Sequence, residues 1–201
     1  MKMFSRRTYL ALRAFLIVVT HIWHPVIRVH GKENIPEGAA VMCSNHSAFS
    51  DPIWIIVYGN LPVLPRTMAK QELLKIPVLG ALLKKLGAFP VDRSGTDISA
   101  IKTAMKTIKE GNKLVIFPEG TRIRGGKKSE PHSGALLIAT RTQVPIVPIF
   151  LSRKKHPFSK IDLVFGKPYH PEYSEKHPTA EELDKLSVEL MDQIYKMGEN
   201  L

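Results

Sequence analysis

The stretch that most constrains this chain runs from position 39 to 58. Ala39-Ala40-Val41-Met42-Cys43 is a continuous run of small and apolar residues that turns abruptly polar, which predicts a short buried strand. Pro52 then opens a second apolar segment, Ile53-Trp54-Ile55-Ile56-Val57-Tyr58. Proline suits the first turn of a helix and drives the residue before it out of the helical region. The helix therefore starts there, with Asp51 as its N-cap. A buried strand joined to a helix by a short polar turn is a building unit of α/β folds.

His46 ends this strand and Asp51 begins the helix. On one continuous helix, side chains five positions apart point about 140° away from each other at ~3.6 residues per turn. A strand–turn–helix brings them back together. A carboxylate that accepts from one imidazole N–H leaves the other nitrogen as a base. The same residues also fit a bland role, with His46 in a turn and Asp51 capping a helix. This stretch alone leaves both readings open. Ser47 and Ser50 lack the Gly-x-Ser-x-Gly setting of a hydrolase nucleophile and read as turn residues.

The remaining elements follow from pattern. Positions 26–31, 67–70, 87–93, 114–117, 144–150 and 161–165 read as strands. Helical spacing marks 97–109, closed by Gly111, and a shorter apolar segment at 134–140. A capping box, Thr179-Ala180-Glu181-Glu182, opens a C-terminal helix with Leu183, Leu186, Leu190 and Ile194 on one face. Positions 72–86 are leucine-rich and partly helical, interrupted at Pro77. Strands alternating with helices predict a single α/β domain with a mixed, mostly parallel central sheet and helices on both faces. The 201 residues suffice for one such core.

Charge narrows the partners. With 29 Lys+Arg against 18 Asp+Glu, the formal charge of +11 favours anionic surfaces and substrates. No nucleic-acid module is visible and aromatics are only 7%, so a membrane surface, a phosphorylated substrate or an acidic carrier fits better than nucleic acid. Residues 1–29 agree. Lys2, Arg6, Arg7 and Arg13 accompany the apolar run Phe15-Leu16-Ile17-Val18-Val19. A helix here places Lys2, Arg6, Arg13 and Thr20 on one stripe, with Tyr9, Leu12, Phe15, Leu16, Val19, Ile22 and Trp23 largely opposite. No small-residue cleavage site follows, and the run falls far short of the ~20 residues that cross a bilayer. The segment reads as an amphipathic, interfacial anchor with a lead-in strand, ahead of a main domain at 30–201. Packing of the same helix on the domain core is the other reading. Cys43, the single cysteine, allows no intrachain disulfide, and no Cys/His group has zinc-ligand spacing, so no metal is expected.

Four blocks carry the function. Asn45-His46 with Asp51 forms an N-H-x-x-x-x-D pattern. Gly87-Ala88-Phe89-Pro90-Val91-Asp92-Arg93, Phe117-Pro118-Glu119-Gly120-Thr121-Arg122 and Val144-Pro145-Ile146-Val147-Pro148-Ile149 follow in order. Together they resemble the four motifs of the glycerophospholipid acyltransferase family, the one containing 1-acyl-glycerol-3-phosphate acyltransferases. The third block is the most specific. The resemblance implies His46 as general base oriented by Asp51, acting on a substrate hydroxyl with no enzyme nucleophile. It implies Arg93 and Arg122 on the acceptor phosphate, with Glu119 holding Arg122 or its loop. Gly120 then lets the backbone approach the ligand, Thr121 donates to it, and Asn45 lies at the substrate. Backbone N–H groups at the start of the helix after Asp51, with Lys70, are the expected oxyanion donors.

The implied reaction moves a fatty acyl group from acyl-ACP or acyl-CoA to the sn-2 hydroxyl of 1-acyl-glycerol 3-phosphate (lysophosphatidic acid), giving phosphatidic acid in phospholipid biosynthesis. No cofactor is implied, and the setting is the cytoplasmic face of the cell membrane. Positions 72–86 then line an acyl-chain channel or are plain core. The chain departs from the family at Ser47-Ala48-Phe49-Ser50, where many members put serine two places after the histidine, and at Pro90-Val91-Asp92 before Arg93. These filler positions leave the acceptor open. Glycerol 3-phosphate or another lysolipid as acceptor, a hydrolase using water, and a catalytically silent membrane-binding protein are the alternatives.

Overall fold

A computed structural model describes residues 3–92, 97–123, 130–174, 177–199 and 201. Arg93, Lys2 and the basic loop residues 124–128 lie outside the described residues. In chain order the elements are α1 (Arg6–Trp23), β1 (Ile27–His30), a 3-10 turn (Lys32–Asn34), β2 (Ala40–Ser44), α2 (Asp51–Tyr58), β3 (Arg66–Lys70), α3 (Gln71–Lys75), α4 (Leu79–Lys85), β4 (Ala88–Val91), α5 (Ile98–Lys109), β5 (Lys113–Ile116), α6 (Gly134–Thr142), β6 (Ile146–Leu151), β7 (Ile161–Phe165) and α7 (Ala180–Lys196). All the strands join one sheet in the order β1-β7-β6-β2-β5-β3-β4. The five strands from β6 to β4 are parallel, β7 runs antiparallel to β6, and β1 lies parallel to β7 at the edge. This is the mixed, mostly parallel sheet that the alternating pattern predicts.

The central strands are mostly hydrophobic because both of their faces are covered. Every residue of β2 and β5 is buried. One face presents Val41, Cys43, Leu114, Ile116 and Ile146 to α5, α6 and α7. The other presents Ala40, Met42, Val115, Val147 and Ile149 to α2, with Leu16 and Ile17 of α1 packed beside them. The capping box is formed as expected, Thr179 and Glu182 each accepting the other's backbone N–H. Because the five central strands are parallel, the residues following β2, β5 and β6 emerge on one edge of the sheet. Ligands of open α/β sheets collect at that carboxyl edge.

Helix α1 forms where the pattern places it, but its two stripes do not divide cleanly between protein and solvent: Tyr9 and Leu16 of the apolar stripe pack inward. Arg13 and Thr20 of the polar stripe turn inward. Arg13 Nε donates to the Val57 carbonyl at 2.6 Å, and the Thr20 hydroxyl lies 2.6 Å from that of Tyr58. Tyr9, the buried residue of the helix, donates to the Ile56 carbonyl. Polar groups thus satisfy α2's last carbonyls, while Phe15 (63% exposed), Val18, Ile22 and Trp23 face outward. The side of the helix that meets the protein mixes apolar Leu16 and Ile17 with the hydrogen-bonding side chains of Tyr9, Arg13 and Thr20. A second apolar tip lies between α3 and α4. There the chain turns through Val78 at φ 62°, ψ −58°, leaving Val78 83% exposed beside exposed Ile76 and Leu82.

Candidate active site

The site begins where β2 ends. Asn45 is 1% exposed, and its side chain continues the β2–β6 ladder by one step. Its amide donates to the Leu151 carbonyl and accepts from the Leu151 N–H, both at 2.9 Å. Expected at the substrate, Asn45 instead binds the backbone of β6 and fixes the point from which His46 projects.

His46 is held through its main chain by the segment that follows β5. Its N–H donates to Glu119 Oε2 at 2.7 Å, and its carbonyl accepts from Ile123 N–H at 2.8 Å. Phe117 stacks on the imidazole with ring centroids 4.2 Å apart. Nδ1 lies 2.8 Å from Asp51 Oδ2. A carboxylate there requires the proton on Nδ1, so Nε2 is the nitrogen with a free lone pair.

Asp51 does not cap its helix. Ser50 occupies the N-cap position of α2, and the Asp51 side chain turns back toward the preceding loop. Its Oδ2 accepts from the Ser47 and Ala48 N–H groups at 2.6 and 2.8 Å as well as from His46. The carboxyl is fully buried. Burial alone would raise its pKa, but the His46 hydrogen bond, the Lys155 ammonium and the Ala48 N–H outweigh it and hold the group below the usual carboxylate range. Lys155 Nζ is 2.9 Å from Asp51 Oδ1.

This arrangement overturns one expectation. The N–H groups at the start of α2 are already engaged: Asp51 N–H donates to the Ala48 carbonyl, and Ile53 and Trp54 N–H donate to the Ser50 carbonyl. Pro52 has none. The oxyanion donors predicted there are consumed by the helix and its turn, since a short turn before a proline leaves few N–H groups to spare.

Glu119, expected to hold Arg122 or its loop, has among its contacts the His46 N–H, accepted on Oε2, and the Tyr195 hydroxyl, accepted on Oε1. Burial pushes its carboxyl above the ordinary range, only partly offset by the Tyr195 hydroxyl and the His46 N–H. Gly120 sits at φ +63°, and a Cβ there would meet the His132 ring at 2.4 Å, so the tight turn after Glu119 requires glycine. Thr121 and Arg122 are exposed. The Arg122 guanidinium lies 5.9 Å from the Phe49 ring, which puts it beside the His46–Asp51 turn. Lys70 ends β3, separated from β2 by β5, with its ammonium 3.5 Å from Glu72 in solvent. Arg93 lies outside the described residues. Among the described residues, no group of histidines, cysteines and carboxylates is arranged to hold a metal ion.

A buried carboxylate, an imidazole fixed at one nitrogen and an arginine at the rim are parts suited to acyl transfer to a hydroxyl on an anionic acceptor. The comparisons agree. The family model described as Acyltransferase matches residues 26–152. The chain belongs to the glycerophospholipid acyltransferase family. The acyltransferase is 35% identical over 181 residues to the 1-acyl-sn-glycerol-3-phosphate acyltransferase of Bacillus subtilis (strain 168), covering 87% of this chain and 89% of that protein. It is 30% identical over 206 residues to the protein of the same name from Borreliella burgdorferi, covering 98% and 81%. The crystal structure of the 1-acyl-sn-glycerophosphate acyltransferase PlsC from Thermotoga maritima shares its fold, with TM-score 0.74 and 24% identity over 96% of this chain and 81% of that one.

Two residues of the acyltransferase's site escape sequence reasoning. Lys155 lies in an undistinguished basic run, Arg153-Lys154-Lys155, whose one signal is its place just past a parallel strand. Tyr195 lies on α7, 76 residues beyond Glu119, and no local pattern joins the two. Its loss is a direct test of the Tyr195–Glu119 contact. Tyr195→Phe removes one hydrogen bond to a buried carboxylate, a change of about 1.5–3 kcal/mol. The variant is expected to unfold at lower urea and to turn over several-fold more slowly as His46 loosens. An unchanged unfolding midpoint with unchanged kcat would show that the contact positions nothing.

Proposed function

We propose that this acyltransferase moves a fatty acyl group from a thioester donor, acyl-ACP or acyl-CoA, to the sn-2 hydroxyl of 1-acyl-glycerol 3-phosphate, giving phosphatidic acid. The observation that carries the reading is the 2.8 Å contact between His46 Nδ1 and a buried, loop-anchored Asp51, which leaves Nε2 as the base. Nε2 takes the proton of the acceptor hydroxyl while its oxygen attacks the thioester carbonyl. The tetrahedral adduct then expels the thiolate, which recovers the proton from the imidazolium. The new ester bond replaces the thioester, and enzyme and proton are restored. Asp51 supports the imidazolium between these steps, and no cofactor takes part. Arg122 receives the acceptor phosphate, because an exposed guanidinium beside the catalytic turn offers a bidentate fork to a dianion. Lys70, at the carboxyl edge of the sheet, remains the proposed cationic aid to the oxyanion.

The proposed setting is peripheral, on the cytoplasmic face of the cell membrane. Among the described residues, no helix is long and apolar enough to cross a membrane. The outward stripe of Phe15, Val18, Ile22 and Trp23 supports anchoring by partial insertion of α1. The net charge of +11 adds attraction to anionic lipid.

Thioester consumption measured with and without lysolipid, with the product identified by mass, tests the reaction. Phosphatidic acid is expected only when 1-acyl-glycerol 3-phosphate is present, and His46→Ala should lower its formation by ~10²–10⁴-fold. Release of free fatty acid without acceptor would indicate a hydrolase. Turnover near wild type in His46→Ala would remove the base. For the membrane, Phe15→Asp with Ile22→Asp is expected to abolish co-sedimentation with anionic vesicles, and salt should weaken binding of the unaltered protein. Retention of both aspartate variants on vesicles would move the anchor away from α1.

A further inference from the structure

Lys155 has no place in the reaction as described, yet it is buried against its most sensitive group. It belongs to the loop between β6 and β7. That loop is closed at its base, where Ser152 N–H donates to the Asp162 carbonyl at 2.9 Å and Asp162 N–H to Ser152 Oγ at 2.8 Å. Farther along it is tied to the end of α1. Phe158 N–H donates to the Trp23 carbonyl at 2.7 Å, and His24 Nδ1 lies 3.0 Å from the Ser159 carbonyl. From this held loop the Lys155 side chain, 7% exposed, runs inward to Asp51 Oδ1 at 2.9 Å and Ser47 Oγ at 2.9 Å. Burying an ammonium is costly, and an ion pair seldom stabilises a protein more than apolar side chains of the same volume would. Fold stability alone gives little reason for a lysine here.

We propose that Lys155 is a positioning residue for acyl transfer: it fixes Asp51 Oδ1 so that Oδ2 faces His46, and its charge keeps the imidazole in the neutral, proton-accepting form. This rests on His46 being the base. A buried carboxylate with no other counter-charge favours the imidazolium, which cannot take a proton from the acceptor hydroxyl. Sharing Asp51 with a fixed ammonium weakens that pull while preserving the geometry. Burial pushes the Lys155 ammonium toward its neutral form, and the Asp51 charge beside it acts in the opposite direction. The other charged or titratable groups packed around the turn, among the described residues, include Glu119, reached through His46 N–H, with Tyr195 and Arg153 behind it, His132 against Gly120, and Arg122 beside Phe49. Among the described residues, Lys155 and His46 are the charged partners of Asp51.

The test is the pH dependence of kcat/KM for the acceptor, between about pH 5 and 9, in wild type, Lys155→Met, Lys155→Gln and Lys155→Arg, with folding checked by circular dichroism. Loss of the positive charge lets Asp51 stabilise the imidazolium, so the acid limb moves to higher pH. A shift of roughly one pH unit is expected in both neutral variants, with about a tenfold loss of kcat/KM on that limb. The loss should fall on kcat, with little change in either substrate's KM. Lys155→Arg should return the limb toward its wild-type position. The glutamine variant keeps a donor for Asp51 and so preserves the test if the methionine variant does not fold. An acid limb that is present but unmoved in a folded neutral variant overturns the role of Lys155 alone. A wild-type profile with no acid limb overturns the base itself, and with it this role.

Discussion

The carboxylate of Asp51 turns back over the loop that precedes it, and the site depends on that turn. Three hydrogen-bond donors and one cation converge on it: the His46 imidazole, the Ser47 and Ala48 N–H groups, and the Lys155 ammonium as an ion pair. Backbone donors satisfy a buried charge without side-chain entropy, and they tie the carboxylate's position to the path of the chain. The loop cannot shift without exposing a buried charge, and the charge cannot shift without releasing the imidazole. Pro52 contributes by supplying no N–H of its own and by fixing the direction in which α2 departs.

Around this turn the parallel sheet gathers segments distant in sequence. β2 delivers His46, the end of β5 delivers Phe117 and Glu119, and the end of β6 delivers Lys155. Each holds a different part of the same residue. Glu119 and Ile123 hold the His46 main chain, Phe117 holds the ring face, and Asp51 holds Nδ1. Through Tyr195 the C-terminal helix joins this set, so an element whose apolar face serves the core also braces the loop that holds the His46 main chain.

Much of this was legible in the sequence for a simple reason. Strands buried on both faces must be continuously apolar, and a capping box or a proline after a polar turn has few structural interpretations. Those signals are local, and they placed the seven strands; the partnership of His46 with Asp51 came from the resemblance of the four blocks, since the turn alone left two readings open. What escaped depended on direction or distance. Spacing located the two stripes of α1 but not how they divide between protein and solvent, because Tyr9 and Arg13 donate to the last carbonyls of α2 as no leucine could. Asp51 before a proline looked like a cap, yet the nearer loop N–H groups won its carboxylate. The resemblance put Asn45 at the substrate, and the open end of the β2–β6 ladder holds its side chain. Lys155 and Tyr195 carry no local signature at all, since only the fold brings them to positions 51 and 119.

The central claim is that Asp51 fixes the proton of neutral His46 on Nδ1 and leaves Nε2 as the base. Nitrogen NMR of protein labelled at histidine, read at a pH where His46 is neutral and assigned with His46→Gln, observes that tautomer directly. The account predicts a protonated Nδ1 and an unprotonated Nε2 in the wild type, with the preference lost in Asp51→Asn. A neutral His46 carrying its proton on Nε2 in the wild type would contradict it.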